Sequence, residues 1–235
     1  MATAIAALVP CPTMSRRPLI AASAALLLAL GLMAGCAGTP TASAPRSPVS
    51  PSAVVPAAAT PADTAVAGPE VKIKTDKGVV VVTLNAAKAP KTSANFLKLV
   101  ESGFYNGLRI HRFEPGFVVQ AGDPLTKGLG RQQLIEILAR RTAGSPAVKD
   151  PAVGTGGPGW SIPFEDTGLL HDRGVLAMAR SQDPDSAGSQ FYITLDVAHD
   201  LDGSYAVFGR VTRGMEVVDR IAVGDQIVSA TVTKK

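Results

Sequence analysis

The chain has 235 residues, with 23 Lys and Arg, 19 Asp and Glu, and a formal net charge of +4. Arg16 and Arg17 lie in a segment that we expect to be removed, which leaves a net charge of +2 from 21 basic and 19 acidic residues. This excess is too small to indicate nucleic-acid binding, which needs a clustered basic face. The only cysteines are Cys11 and Cys36, so we expect no disulfide and no metal site in the mature domain, and no cofactor.

Residues 1–35 have the pattern of a signal peptide of the lipoprotein type. The basic pair Arg16-Arg17 precedes an apolar run from Leu19 to Met33, and small residues follow it. At about 15 residues, the run is shorter than the ~20 residues of a membrane-spanning helix. The sequence from Leu32 to Cys36 (LMAGC) resembles a bacterial lipobox, which implies cleavage before Cys36 and acylation of its thiol. The alternative is a free cysteine after a simple secretory signal.

Residues 36–69 comprise the lipidated cysteine and a tether rich in Pro, Ala, Ser and Thr. Only Arg46 and Asp63 are charged. Proline recurs at Pro40, Pro45, Pro48, Pro51, Pro56, Pro61 and Pro69. Such a composition cannot bury a core, so we expect an extended, disordered spacer between a membrane and a folded domain.

Residues 70–235 have the size of one domain, and most of its element signals indicate strands. Apolar runs bounded by turn residues predict strands at Val71–Thr75, Gly78–Leu84, Arg109–Phe113, Phe117–Ala121, Gly174–Ala179, Gln190–Thr194, Ala206–Val211 and Ile227–Thr233. Helices are predicted over Pro90–Ser102 and Gly214–Ile221. This order favours a mainly β fold, a closed antiparallel barrel capped by two α-helices.

The hairpin from Arg109 to Ala121 is the most informative segment. A turn at Glu114-Pro115-Gly116 joins its two strands. Strand residues alternate between faces, which predicts that Arg112 shares a side with Ile110, and that Phe117 shares a side with Val119 and Ala121. A guanidinium, a phenyl ring and an amide on one short hairpin suit an apolar pocket with one strong donor. An ordinary hairpin with a solvated arginine is the alternative.

Four motifs in order resemble the cyclophilin-type peptidyl-prolyl cis-trans isomerases, here in a bacterial lipoprotein form. They are Arg112–Asp123 (RFEPGFVVQAGD), Gly154–Trp160 (GTGGPGW), Gly188–Thr194 (GSQFYIT) and Leu201–Gly209 (LDGSYAVFG). The resemblance covers nearly all of residues 70–235. It implies an eight-stranded antiparallel barrel with two capping helices and a proline-binding groove on its outer face.

The resemblance also implies the site residues. Arg112 takes the place of the family's catalytic arginine, which hydrogen-bonds the prolyl nitrogen in the twisted transition state. Substrate-binding positions are implied at Phe117, Val118, Gln120, Gly154, Thr155, Ala179, Arg180, Gln190, Tyr192, Leu201 and Tyr205. Arg180 is expected to act mainly through its backbone. Tyr192 stands where phenylalanine is common, and Asp200 where tryptophan often supports cyclosporin binding, so we predict weak cyclosporin affinity.

An insertion of about residues 126–152 separates the first two motifs, where bacterial relatives usually have only a few residues. Within it, Gln132–Arg141 is predicted as an amphipathic helix with Leu134, Ile135 and Leu138 on one stripe. The insertion is either a surface loop or a flap or partner site beside the groove.

The sequence thus predicts a monomeric isomerase that acts on proline-containing unfolded or flexible protein segments. A lipid on Cys36 would hold it in the cell envelope, and Ala37 after the lipid cysteine favours the periplasmic face of the outer membrane. One alternative is a proline-peptide binding protein or chaperone with little turnover. A second is an envelope lipoprotein whose barrel is only a scaffold.

Overall fold

A computed structural model describes residues 67–235. The predicted signal peptide, Cys36 and nearly all of the tether therefore lie outside the described residues. The domain contains eight strands: β1 (Glu70–Thr75), β2 (Gly78–Leu84), β3 (Arg112–Glu114), β4 (Val118–Ala121), β5 (Val175–Met178), β6 (Phe191–Thr194), β7 (Val207–Arg213) and β8 (Ile227–Lys234). Three helices accompany them: α1 (Pro90–Glu101), α2 (Arg131–Thr142) and α3 (Met215–Val218).

The eight strands form one antiparallel sheet in the order β3-β4-β6-β5-β7-β2-β1-β8. The segments before the two edge strands pair with each other through a bridge between Arg109 and Gln226. The backbone N–H of Ile110 donates to the carbonyl of Asp225 at 2.9 Å, and that of Ile227 to Leu108 at 2.8 Å. These bonds join the edges of the sheet, so the prediction of an eight-stranded antiparallel barrel is confirmed.

The barrel interior is filled by apolar side chains, and Phe96 of α1 lies at the centre of an aromatic cluster within it. Its ring centroid lies 5.2 to 5.3 Å from the centroids of Tyr105, Phe191 and Phe208. Such tilted and edge-on pairs stabilise a core beyond the burial of their area. Glu165 accepts hydrogen bonds from the first backbone N–H groups of α1, which satisfies donors that a helix start leaves unpaired. Both predicted capping helices are present, α1 against β7 and β8 and α3 against β2.

The predicted facing of the hairpin is wrong at two positions. The first strand begins at Arg112 and not at Arg109, because the residues before it close the barrel. Ile110 therefore points into the core, whereas Arg112 is exposed on the outer surface. Phe117 packs with Val118 on the outer side, and not with Val119. Its N–H donates to the carbonyl of Glu114 at 3.0 Å, so it belongs to the turn and does not follow the strand alternation.

The second capping helix is also shorter than predicted. The prediction ran from Gly214 to Ile221, whereas α3 covers only Met215–Val218. Gly214 precedes it with φ of 90°, a left-handed conformation that breaks the helix on that side. Beyond its end, the N–H of Ile221 donates to the carbonyl of Val218, three residues earlier, so the chain continues as turns.

The insertion is partly helical, as predicted, and has a small core of its own. Helix α2 buries Leu134 and Ile137 against Val153. Ile135 is 36 % exposed and does not belong to the buried stripe, which corrects the prediction for that residue. Arg131 attaches the insertion to the barrel through the buried carboxylate of Asp225 beside β8. Within the insertion, Arg140 near the end of α2 forms a bidentate ion pair with Asp150. No helix within residues 67–235 is long and apolar enough to cross a membrane.

Candidate substrate groove

One row of strand partners on the outer face of the barrel gives the site its frame. Arg112 of β3 lies opposite Gln120 of β4, Gln120 opposite Tyr192 of β6, and Tyr192 opposite Ala177 of β5. Directly opposed residues of antiparallel strands project to the same face of a sheet. The register therefore brings a cation, an amide and an aromatic ring side by side on three adjacent strands.

A pocket of about 280 Å³ with an apolar floor lies on this row, and we call it the apolar pocket. Its lining consists of nine of the predicted site residues: Arg112, Phe117, Val118, Gln120, Ala179, Arg180, Tyr192, Leu201 and Tyr205. Val118 and Tyr192 are buried beneath it and belong to a cluster of apolar side chains separate from the barrel core. A compact apolar ring would therefore be surrounded by side chains on several sides, with the guanidinium groups of Arg112 and Arg180 at the margin.

Arg112 is held from two directions. Its Nε donates to Oε1 of Glu114 at 2.8 Å, and its Nη2 lies 2.7 Å from the same oxygen. Its Nη1 donates to Oε1 of Gln120 at 3.2 Å. The guanidinium also lies 5.9 Å from the centroid of the Phe117 ring. The contact to Glu114 was not predicted, although the i, i+2 spacing on a strand places the two side chains on one face.

A series of amide hydrogen bonds connects Arg112 to a second, neighbouring pocket. Nε2 of Gln120 donates to Oε1 of Gln190 at 2.9 Å. Nε2 of Gln190 donates to the carbonyls of Gly154 at 3.1 Å and Gly156 at 2.8 Å. The neighbouring pocket has a volume of about 350 Å³, and Gly154, Thr155 and Gln190 are among its lining residues. Both pockets share Gln120, Ala179 and Arg180, so together they form one continuous groove.

The rim of the apolar pocket is formed by Arg180 and Tyr205. The Arg180 guanidinium lies 4.8 Å from the Tyr205 ring centroid, and its Nε donates to the carbonyl of Ser204 at 2.9 Å. The side chain thus has a packing role of its own, beyond the backbone role that the resemblance implies. The backbone N–H of Ala179 is already used, since it donates to the carbonyl of Gln190 at 2.9 Å.

Beneath the pocket, the structure reveals polar contacts that were not predicted. The hydroxyl of Tyr192 lies 2.9 Å from Nε2 of His171, whose Nδ1 lies 2.8 Å from Oδ1 of Asp202. Burial raises the pKa of Tyr192, so its hydroxyl stays protonated. Burial also opposes ionisation of Asp202, but the hydrogen bonds from His171 outweigh it and lower the pKa of that carboxyl. His171 lies 21 residues from Tyr192 and 31 residues from Asp202 in the chain, so no local sequence pattern indicates these contacts.

His111 lies next to Arg112 in the chain but is buried. It is 6 % exposed, and neither of its ring nitrogens has a hydrogen-bond partner among the described residues. Burial lowers the pKa of His111, although the carboxylate of Asp123 acts in the opposite direction. The ring is therefore held neutral near pH 7. Residues 67–235 contain no group of three His, Cys, Asp or Glu that could hold a metal ion.

Comparison with known proteins gives a consistent result. Residues 70–235 match the family model described as cyclophilin type peptidyl-prolyl cis-trans isomerase/CLD. A probable peptidyl-prolyl cis-trans isomerase of Brucella suis is 37 % identical over 171 residues, which cover 72 % of this chain and 80 % of the relative. The peptidyl-prolyl cis-trans isomerase-like 1 of Mus musculus is 37 % identical over 161 residues, which cover 66 % and 80 %.

Solved structures include a similar protein from Cryptosporidium parvum. This cyclophilin type peptidyl-prolyl cis-trans isomerase, crystallised in the presence of the dipeptide Ala-Pro, superimposes with a TM-score of 0.56 at 27 % sequence identity. The match covers 71 % of this chain and 99 % of the crystallised chain. The similarity therefore extends over the whole of the compared domain.

Proposed function

This chain belongs to the cyclophilin-type peptidyl-prolyl cis-trans isomerases and is an enzyme of that class, and on that premise we propose that Arg112 catalyses the rotation of X-Pro bonds in the groove. In this proposal the prolyl ring occupies the apolar pocket over Tyr192. Residues of the neighbouring pocket, Gly154, Thr155 and Gln190 among them, contact the flanking peptide.

The chemistry requires only one well-placed donor. Rotation about an X-Pro bond has a barrier of about 20 kcal/mol because resonance gives the bond partial double-bond character. Unaided, it takes tens to hundreds of seconds. Twisting the bond returns the lone pair to the prolyl nitrogen, where it can accept a hydrogen bond that the planar amide cannot accept. A donor placed there stabilises the transition state more than the ground state, which is the condition for catalysis.

The position of Arg112 is the observation that carries the proposal. A guanidinium stays protonated at all physiological pH values and presents several N–H donors in a fixed plane. Here it lies at the margin of a pocket with a largely apolar floor, and Glu114 and Gln120 fix its plane. A solvated surface arginine would not need an acceptor on each side.

The test uses the full-length protein and NMR exchange between the cis and trans forms of a short X-Pro peptide. We expect Arg112→Ala to lower kcat/KM by about 10- to 100-fold, the range for losing one hydrogen bond from a charged donor. Arg213→Ala removes an exposed arginine of β7 and is the matched control, which should keep full activity. Equal activity of Arg112→Ala and the wild type would contradict the mechanism.

The alternative is a proline-peptide binding protein or chaperone with little turnover. The hydrogen bonds that orient Arg112 argue against it, because binding alone does not need an oriented donor above the pocket. The two functions separate in one experiment. Peptide binding, followed by titration, without any acceleration of exchange would favour the alternative.

We also propose that the enzyme is anchored by a lipid on Cys36 and acts on envelope proteins at the periplasmic face of the outer membrane. Support comes from the sequence alone. A flexible tether of the length of residues 37–69 would span about 30 Å on average, and about 100 Å if fully extended as polyproline II. We expect incorporation of labelled palmitate into the wild type and none into Cys36→Ser, which should leave the membrane fraction. Labelling of Cys36→Ser would contradict the anchor.

A further inference from the structure

The floor of the apolar pocket rests on a buried series of hydrogen bonds from Asp202 through His171 to Tyr192. Tyr192 is 4 % exposed, and the His171 side chain is completely buried. The hydroxyl of Tyr192 lies 2.9 Å from Nε2 of His171. Oδ1 of Asp202 lies 2.8 Å from Nδ1 of His171 and accepts the backbone N–H of the same residue at 2.8 Å.

The direction of each hydrogen bond follows from the chemistry of the groups. An ionised carboxylate can only accept, so Nδ1 of His171 must carry the proton that faces Asp202. In the neutral ring, Nε2 then has a lone pair and accepts the hydroxyl proton of Tyr192. The hydrogen bonds from His171, which lower the pKa of Asp202, agree with this assignment. Each of the three groups thus has one defined role.

These contacts fix the ring that forms the pocket floor. The Tyr192 ring is stacked on His171, with centroids 6.0 Å apart and planes inclined by 15°. On another side it meets the edge of Tyr205, with centroids 5.9 Å apart. Without its histidine partner, the hydroxyl would be a buried donor with no acceptor, and the ring would have to move to satisfy it.

The same carboxylate also reaches the wall of the pocket. Asp202 directly follows the short helical turn His199–Leu201, which carries the wall residue Leu201. Its second oxygen, Oδ2, lies 3.0 Å from Nδ1 of His199 at the start of this turn. One carboxylate therefore connects the floor of the pocket with one of its walls.

We propose that His171 and Asp202 are positioning residues of the isomerase, which hold the Tyr192 ring in the orientation that receives the prolyl ring. The proposal rests on the proposed function, in which proline occupies this pocket. Neither residue lines the pocket, so both act through the residues that do and not on the substrate.

The test is a double-mutant cycle in the full-length protein, with kcat and KM measured by peptide exchange. His171→Phe keeps a flat ring and removes both side-chain hydrogen bonds, and we expect kcat/KM to fall about tenfold, mainly through KM. Tyr192→Phe removes only the hydroxyl and keeps the ring, and its kcat/KM is the reference for the double variant. The double variant should recover to within about threefold of Tyr192→Phe, because its ring no longer needs a buried acceptor.

Two outcomes of the cycle would overturn the proposal. In the first, His171→Phe lowers kcat/KM as much in the Tyr192→Phe variant as in the wild type. In the second, His171→Phe changes kcat/KM in neither protein. Thermal unfolding of all four proteins separates positioning from a merely structural role, which would lower the melting temperature without the split between KM and kcat. Titration with an X-Pro peptide measures affinity without turnover. The same double-mutant cycle can therefore be measured as changes in peptide affinity, which tests the positioning role even if Arg112→Ala shows that the proposed mechanism is wrong.

A second measurement needs no variant. In ¹⁵N NMR spectra of the wild type, His171 should show a protonated Nδ1 and an unprotonated Nε2. The opposite tautomer would mean that Tyr192 does not donate to His171, and it would overturn the proposal even if His171→Phe fails to fold.

Discussion

Gln190 connects the two pockets of the groove, and its replacement by alanine gives a prediction with a definite magnitude. The residue is 9 % exposed. Its side chain accepts from Gln120 and donates to the carbonyls of Gly154 and Gly156, in three hydrogen bonds of 2.8 to 3.1 Å. Gln190→Ala removes all three, and the segment after the insertion then keeps only its other contacts to the barrel, such as the hydrogen bond from the Gly154 N–H to Asp123.

The expected loss follows from the exposure of the partners. A neutral hydrogen bond contributes about 1 kcal/mol on average, and less when water can replace the lost partner. Gly154 is exposed and Gly156 is half-buried, so water can reach part of the vacated site. We therefore expect a loss of about 2 kcal/mol in the free energy of unfolding. For a domain of this size, that corresponds to a melting temperature lower by about 4 to 8 °C.

Thermal unfolding of the full-length protein, followed by circular dichroism, measures this loss. Gln132→Ala removes an exposed glutamine of α2 and is the matched control, with an expected change within about 0.5 kcal/mol. Activity gives a second measure, because peptides that extend into the neighbouring pocket should lose more kcat/KM than short ones. A melting temperature equal to that of the control, with the same activity ratio for long and short peptides, would refute the reasoning.

Three further predictions concern other residues. The pKa of His111 is lowered in the folded protein, so the unfolded chain, with a histidine pKa of about 6.5, binds a proton more readily, and the free energy of unfolding should fall as the pH drops below about 6.5. In unfolding experiments at several pH values, His111→Gln should show a smaller fall, and parallel profiles for variant and wild type would contradict the lowered pKa. Gly122→Ala places a Cβ 2.3 Å from the carbonyl oxygen of Ser189 at φ of 94°, and should lower the free energy of unfolding by more than about 2 kcal/mol. Gly116→Ala, also at positive φ but in open space, should lower it by about 1 kcal/mol, and equal losses for the two variants would exclude the clash. Because the family resemblance gives Asp200 where tryptophan often supports cyclosporin, the wild type should bind the drug weakly and Asp200→Trp more tightly; nanomolar inhibition of the wild type would contradict this.

The sequence predicted the architecture because its signals are local. Alternation and turn residues located all eight strands, and the apolar stripe located α1. The hairpin register was not predicted. A turn centred on Pro115 would place Arg112 opposite Val118, whereas in the structure Arg112 lies opposite Gln120 because the loop is centred on Gly116. Errors occurred where a segment leaves regular structure, as at Ile110 and Phe117, because alternation applies only within a strand.

The contacts that support the site could not be predicted in the same way. His171 and Asp202 lie in segments that meet β6 only in the folded barrel, and the partner of Tyr192 lies 21 residues away in the chain. Likewise, Arg131 of the insertion contacts Asp225, 94 residues later. Neither contact has a periodicity or a fixed spacing from which it could be inferred. Tyr192 itself gave the only hint, since a tyrosine at a buried position needs a partner for its hydroxyl.

The hydrogen bonds of Arg112 explain how a half-exposed cation can act as a directed donor. A guanidinium has five N–H groups. Contacts to Glu114 and Gln120 use at most three of them, one each on Nε, Nη1 and Nη2. Two N–H groups therefore stay available for a peptide, and both lie in a plane that the other three have fixed. A lysine at this position could keep the charge but not the plane, because its ammonium group rotates freely. We therefore expect Arg112→Lys to lose most of the activity that Arg112→Ala loses, and near-normal exchange rates in the lysine variant would show that charge alone is sufficient.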